Sequence, residues 1–556
     1  MEQCGRAAAW LISLFLIFQC LCKLSSCGSL SRDKTISSVI IQEGTGRLKV
    51  VPGLQPDFVA WASFTDNIQK TGWSYLEVVT NGRYNDSVQA YAAGVVEAAV
   101  TQQLIYMHWM NTMVGYCGPF KYEKNYCDRL KSYIATNLAW MEEQIEAGED
   151  QEYWHQVRLV LLQLKGLEDS YNEHLAFPTG KFSLEPFGFL LFQMGGDLED
   201  LEMVLNKTKV FRPLGAGSCS ALIKLLPGNK ELLVSHDTWL SYQYMLRIVK
   251  KYTFAFRTSP EALSGVPGNV QSFSSYPGTI FSGDDFYILS SGMVTLETTI
   301  GNSNPALWKY VRPEGAVMEW LRNIVANRLA KSGMEWATVF KKFNSGTKNN
   351  SWLCFGACSH ASQGMTETTE LLLLILIMVH LARQVAVADK TQELLQKGYW
   401  ASYNIPYFEE IFNASGIPEL VQKYGDWFTF DKNPRAQIFH RNQTLVKDMD
   451  SMIRLMSFLS THKAPLFGEG RAHGQLSKGE RSWLKAVTPP PTVYEPDPVC
   501  CKVTSFEMHK SYQMKAISGP TWDQVLPFQW SKSPYDNLTH MGHPDLWEFP
   551  VVWVQW

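Results

Sequence analysis

Long apolar runs are nearly missing from this chain of 556 residues. A membrane-crossing helix needs about 20 consecutive apolar residues, and Leu371 to Val379 offers nine before His380 and Arg383 interrupt it. An excess of one charge is missing too, since 50 Lys and Arg face 53 Asp and Glu, net −3. No basic stripe exists to neutralise phosphates, so a nucleic-acid partner is not expected. There is no Gly-x-Ser-x-Gly elbow and no His-Glu-x-x-His, which argues against a serine lipase and a zinc protease. Cys354 and Cys358 precede His360 at a spacing unlike a zinc site and without a fourth ligand, so neither metal nor cofactor is expected. Internal repeats and long low-complexity tracts are also lacking.

What is present reads as an ordinary globular chain, 46% hydrophobic and 13% aromatic, with ample core for one large domain or two. Arg6, the apolar run Ala7 to Phe18 and small residues near Ser25, Ser26 and Gly28 form a signal-peptide pattern over residues 1–27. Its removal predicts a lumenal protein without an integral membrane segment. Sequons at Asn85, Asn206, Asn413, Asn442 and Asn537 fit passage through the secretory pathway. Seven cysteines remain after the signal, an odd count that leaves a free thiol in an oxidising lumen. Cys117 and Cys127 bracket a Gly-Pro turn and are the expected disulfide, with Cys219 the natural unpaired thiol.

The pattern is β-rich over Ile36–Val79, then helical over Gln89–Tyr116, Cys127–Glu146 and Glu152–Tyr171, where apolar residues recur at i, i+3 and i+4. Strands return after Cys219, Tyr287–Thr299 reads as a strand, and Ala316–Lys331 reads as an amphipathic helix. The nineteen tryptophans are expected to pack in the core with their N–H groups satisfied.

Cys219 is the focus of the chemistry. Gly215 and Gly217 precede it, so the Ser218–Cys219 bond can be held in a strained, attackable geometry. Ser220–Leu226 and Glu231–Trp239 flank the turn Pro227-Gly228-Asn229-Lys230 as a β-hairpin. Pairing Leu226 with Glu231 sets Cys219 opposite Thr238. Period-2 alternation then puts Cys219, His236 and Thr238 on one face and Asp237 on the other. A register slip of one residue would exchange His236 for Asp237.

The stretches Thr71–Glu77, Gly215–Lys224, Ser235–Trp239, Leu296–Thr299, Tyr424–Trp427, Pro434–Phe439 and Gly519–Val525 resemble the phospholipase B-like family. The similarity covers most of residues 36–350, 386–456 and 503–556. It implies an α+β fold, the four-layer αββα sandwich of the N-terminal nucleophile hydrolases, which cut themselves before the nucleophile. Residues 28–218 would become a helix-rich N-terminal chain and 219–556 a C-terminal chain beginning with Cys219, the two staying associated. The resemblance implies a lysosomal hydrolase, with secretion the second destination, that cleaves carboxylic esters such as the acyl chains of phospholipids. The alternatives are an amidase acting on small acyl amides and a non-catalytic lipid-binding relative.

In that mechanism the freed α-amine, with a reference pKa near ~7.7–8.0, is the base beside the thiol. His236 and Asp237 are assigned orienting and proton-handling roles, and Glu297 is expected to hold the amine or assist the cut. Asn350 in Asn349-Asn350-Ser351-Trp352 is the candidate oxyanion donor, and Thr238 and Thr298 give support. Asn349 is also a sequon, but a glycan there would crowd the site, so Asn349 is expected to be buried and unmodified. Residues 353–385 and 457–502 depart from the family pattern and are expected to cost the fold core strands behind Asn350.

Overall fold

A computed structural model describes residues 34–120, 122–208, 219–357, 373–381, 384–461, 499–519 and 526–556. The signal pattern, Ser218, Cys358 and His360 lie outside the described residues. Among the described residues no helix is long and apolar enough to cross a membrane.

An eleven-stranded sheet forms the centre, in the order β13-β12-β11-β10-β9-β8-β7-β4-β3-β1-β2. Its strands are β1 Thr35–Ile41, β2 Leu48–Pro52, β3 Ala60–Asn67, β4 Trp73–Thr80, β7 Arg247–Thr253, β8 Val270–Ser275, β9 Phe286–Leu289, β10 Met293–Thr299, β11 Asn350–Ala357, β12 Leu373–Leu381 and β13 Gln384–Asp389. Among the described strands only β4 and β7 pair in parallel. A six-stranded antiparallel sheet follows the order β14-β5-β6-β15-β16-β19. Its members are β5 Cys219–Leu225, β6 Leu232–Trp239, β14 Tyr399–Ser402, β15 Val499–Ser505, β16 Met514–Ile517 and β19 Val552–Val554. Two short strands, β17 Phe528–Gln529 and β18 Leu546–Trp547, pair separately.

The main helices are α1 Asp86–Thr112, α2 Lys124–Ala147, α3 Gln151–Tyr171, α4 Gly195–Val204, α5 Glu319–Leu329, α6 Gly333–Phe340, α7 Pro434–Asn442 and α8 Met449–Thr461. The first begins where Asn85 Oδ1 accepts the Ser87 N–H at 2.9 Å, an N-cap that satisfies an otherwise orphan donor. Helices α1 and α3 approach backbone to backbone because two glycines leave room. A Cβ on Gly94 would lie 1.8 Å from the Gln163 carbonyl oxygen, and one on Gly166 2.0 Å from that of Tyr91.

Period-2 alternation builds the cores. Val78, Tyr91, Leu159, Phe273 and Trp352 join helices to one side of the large sheet. Ala221, Ile223, Val234, Leu296 and Leu353 join the two sheets to each other. Leu222, Leu233, Phe439, Met452 and Val503 join the small sheet to α7 and α8. Both faces of β5 and β6 are therefore covered, and every residue of these two strands is buried.

Several expectations need correction. The segment 353–385 does not cost the large sheet its strands. It continues β11 and supplies β12, because its Leu and Ile run suits a strand with neighbours on both sides. Tyr287–Thr299 is two strands, since Gly292 at φ 80° turns the chain and its N–H bonds the Leu289 carbonyl at 3.0 Å. Cys117 and Cys127 form the expected disulfide, but Cys219 is not the lone free thiol, because Cys354, Cys500 and Cys501 are also buried and free. Cys500 and Cys501 are adjacent in β15, so alternation sends them to opposite faces and they cannot bond to each other. Trp73, Trp320, Trp336 and Trp352 pack inside while Trp553 is exposed, and the buried indole N–H groups of Trp73, Trp320 and Trp352 have no partner.

Candidate active site at Cys219

The turn sets the hairpin. The Leu226 N–H bonds the Glu231 carbonyl at 2.9 Å, and from there the ladder runs Leu225↔Leu232 to Cys219↔Thr238. Cys219, His236 and Thr238 consequently share the face turned to the large sheet, and Asp237 faces the other way, opposite Cys501 in β15. Cys219 is only 3% exposed.

Three elements hold this cysteine. Its backbone N–H points at Asn404 Oδ1, 3.4 Å away. Arg435 Nη1 donates to the Cys219 carbonyl at 2.6 Å and to Asn404 Oδ1 at 2.8 Å, while its Nη2 donates to the Tyr403 carbonyl at 2.6 Å. Asn404 Nδ2 donates to the Thr299 carbonyl at 2.7 Å, which fixes the amide orientation. Asn404 sits just after β14 at φ 67°, a left-handed conformation that asparagine tolerates better than most residues. Arg435 occupies the first turn of α7, capped by Asn433 Oδ1 on the Ala436 N–H at 3.0 Å. The third element is β10: the thiol lies 3.8 Å from Glu297 Oε2, and Thr299 Oγ1 steadies that carboxyl through Oε1 at 2.9 Å.

Burial pushes the Cys219 thiol well above its ordinary pKa, and Glu297 and Asp285 push the same way. Burial also raises Glu297 strongly, followed by the charge of Asp285. Asp285 is itself pushed up to about 6, first by burial. Behind them Lys348 Nζ pairs with Asp285 Oδ2 at 2.8 Å and Glu319 Oε2 at 3.3 Å. The thiol is protonated in this state, so attack on a carbonyl requires a base.

His236 does not point a free nitrogen at the thiol. Its Nε2 lies 2.6 Å from the Glu297 carbonyl, which can only accept, so Nε2 carries the hydrogen. Nδ1 lies 3.3 Å from Thr238 Oγ1. Burial, reinforced by Lys502, holds the ring far below its usual pKa and hence neutral. His236 is a clamp between β6 and β10. Thr298 Oγ1 and Ser402 Oγ, 2.5 Å apart, join β10 to β14 in the same way.

Asp237 is buried and pushed up to about 7 by burial, with the Cys501 thiol bond opposing. Asn350 opens β11 in register with Thr299. It is fully buried, and neither atom of its amide has a hydrogen-bond partner. Its neighbour Asn349 is buried, at 1% exposure. Asn85, Asn206, Asn413 and Asn537 are exposed, and Asn442 is half-buried. Among the described residues no group of three His, Cys, Asp or Glu is placed to hold a metal ion.

The fold thus gathers Cys219, His236, Thr238 and Glu297, sets Asn350 opposite Thr299, two residues along β10 from Glu297, and turns Asp237 away. Sequence reasoning missed Asn404, Asp285 and Lys502. It also gave no role to Arg435, although Pro434–Phe439 was among the motifs noted.

Comparison with known proteins covers nearly the same span. The sequence profile named Phospholipase B matches residues 60–554. "Putative phospholipase B-like 2" of Homo sapiens is 57% identical over 529 residues, covering 93% of this chain and 89% of the relative. "Putative phospholipase B-like 1" of Caenorhabditis elegans is 37% identical over 517 residues, covering 90% and 87%. "Phospholipase B-like protein B" of Dictyostelium discoideum is 33% identical over 531 residues, covering 93% and 89%. The chain belongs to the phospholipase B family.

Proposed function

We propose that this protein is a hydrolase of carboxylic esters, with phospholipid acyl chains the substrate suggested by its relatives' names, and that Cys219 is a nucleophile exposed by self-cleavage. The observation that carries the reading is the triple hold on Cys219. Its N–H, carbonyl and thiol each meet a polar side chain, those of Asn404, Arg435 and Glu297, brought from three different elements. An inert buried cysteine has no need of such an arrangement.

In the precursor the thiol attacks the Ser218 carbonyl and the acyl group moves from nitrogen to sulfur. The thiol proton passes to the leaving amine, with Glu297 placed to relay it. Water then hydrolyses the thioester, leaving a Ser218 carboxylate and a free Cys219 α-amine. In turnover that amine accepts the thiol proton, the thiolate forms a thioester with the substrate acyl group, and the alcohol leaves with the proton. Water completes the cycle. The unpartnered Asn350 amide is the candidate donor to the tetrahedral oxyanion. An acyl amide passes through the same steps with an amine as leaving group.

The three hydrophobic cores support the αββα sandwich of the N-terminal nucleophile hydrolases, with chains 28–218 and 219–556 sharing the first two of them after the cut. The signal pattern and the solvent-facing sequons support delivery through the secretory pathway to the lysosome lumen. The test is N-terminal sequencing with intact mass of the secreted protein, before and after incubation at acid pH. A chain beginning at Cys219, lost in Cys219→Ala and slowed in Cys219→Ser, is expected. Unchanged processing in Cys219→Ala would sink the self-cleavage claim.

A further inference from the structure

The clamp on Cys219 has a cation behind it that the proposed chemistry does not yet use. Lys502 lies in β15, in register with His236, and its side chain is completely buried. Its Nζ donates to Thr238 Oγ1 at 2.8 Å and to the Cys500 carbonyl at 3.3 Å. The nearby carboxylate of Asp284, at 3.7 Å, is already engaged. Arg247 Nη1 sits 2.6 Å from both of its oxygens, and the Tyr276 hydroxyl donates to one of them. Lys502 is therefore hydrogen-bonded but only partly neutralised, and in a low-dielectric interior its charge acts on the groups beside it.

Those groups form a short relay. Thr238 Oγ1 accepts from Lys502, and its one hydrogen is shared between the unprotonated His236 Nδ1 at 3.3 Å and the Asp284 carbonyl at 3.0 Å. His236 Nε2–H then fixes the carbonyl of Glu297, whose carboxyl meets the thiol. We infer that Lys502 is a positioning residue for Cys219: through Thr238 it orients His236 on β10, and its positive charge offsets the carboxyl groups facing the thiol. The charged groups around that thiol are Glu297 and Asp285 on one side and Lys502 on the other, with Arg435 on the Cys219 carbonyl. The influence of Lys502 on the thiol and on the imidazole has the sign this geometry requires, lowering both.

The inference rests on the nucleophile reading above, and its test separates the two. The rate at which iodoacetamide labels Cys219 is followed by mass spectrometry from pH 7 to 11 in the wild type, Lys502→Met and Lys502→Arg. Removing the cation should raise the midpoint by about one pH unit, and so slow labelling about tenfold below it. Lys502→Arg should restore most of the shift. An unchanged midpoint in Lys502→Met, or an equal shift in Lys502→Arg, overturns the inference. Absence of a Cys219 N-terminus in the wild type overturns the self-cleavage reading instead, while the labelling comparison on the uncut chain still decides Lys502. Should Lys502→Met not fold, Thr238→Val breaks the relay with little change of shape. It is expected to slow formation of the Cys219 N-terminus at least tenfold, and an unchanged rate refutes the relay.

Discussion

Replacing Asp237 by Asn should make the protein less sensitive to rising pH without touching the chemistry at Cys219. Asp237 is fully buried on the face of β6 turned away from the thiol. Burial lifts its pKa from 3.8 to about 7. Between these values the folded state keeps a proton that the unfolded state has lost, so this group's contribution to stability is complete below about pH 4 and is lost as pH rises through 7. A shift of about three units at ~1.36 kcal/mol each amounts to roughly 4 kcal/mol across that window. Asn has no proton to lose, and it resembles the protonated acid in shape. Thermal unfolding from pH 4 to 8 at fixed ionic strength should therefore show the difference between Asp237→Asn and wild type growing with pH, in favour of the variant, to a few degrees in Tm. Asp197 and Asp285, each raised to about 6, titrate in both proteins and cancel from the difference. Formation of the Cys219 N-terminus should be retained. Parallel curves for the two proteins would refute the reasoning, because they would mean that Asp237 is ionised in the fold at neutral pH.

Asn350→Ala should reduce acyl turnover roughly 10²-fold or more, the usual effect of losing one oxyanion donor, while an unchanged kcat would remove Asn350 from the site. Gly166→Ala should destabilise the protein severely, since the added methyl would lie 2.0 Å from the Tyr91 carbonyl oxygen between α1 and α3. A melting temperature within a degree of wild type would refute that close approach. Enzymatic removal of N-glycans should shift peptide masses at Asn85, Asn206, Asn413, Asn442 and Asn537 and not at the buried Asn349. A glycan on Asn349 would be incompatible with the contact of its side-chain amide with Asp200 of α4.

What was legible in the sequence was local. The turn at Pro227–Lys230 fixes the pairing of Leu226 with Glu231, and period-2 alternation carries that register down to Cys219 opposite Thr238. The long helices were readable for a similar reason, their apolar periodicity extending over several turns. Reading Tyr287–Thr299 as one strand failed because its apolar residues outweighed the Ser290-Ser291-Gly292 turn between them. Asn404 and Arg435 were out of reach, lying 185 and 216 positions from Cys219. Lys502 was hidden differently. A lysine in a strand is expected at the surface, and nothing local announces that β15 would be enclosed between β6 and β16.

The way the small sheet ends bears on the proposal that Cys219 is the nucleophile. The ladder between β14 and β5 stops at Ala221↔Ser402, two residues short of Cys219. Past that point the edge of β5 is met by side chains in place of a strand: Asn404 takes the N–H of Cys219 and Arg435 takes its carbonyl. On its other edge the residue remains in register with Thr238. A peptide bond broken before Cys219 would therefore cost no pairing between β5 and β14, and the new α-amine would emerge facing an amide oxygen already oriented by Arg435 and by the Thr299 carbonyl. On the proposed self-cleavage the site would need little rearrangement to pass from precursor to enzyme, because the groups that hold the amide nitrogen before the cut are those that would orient the amine after it.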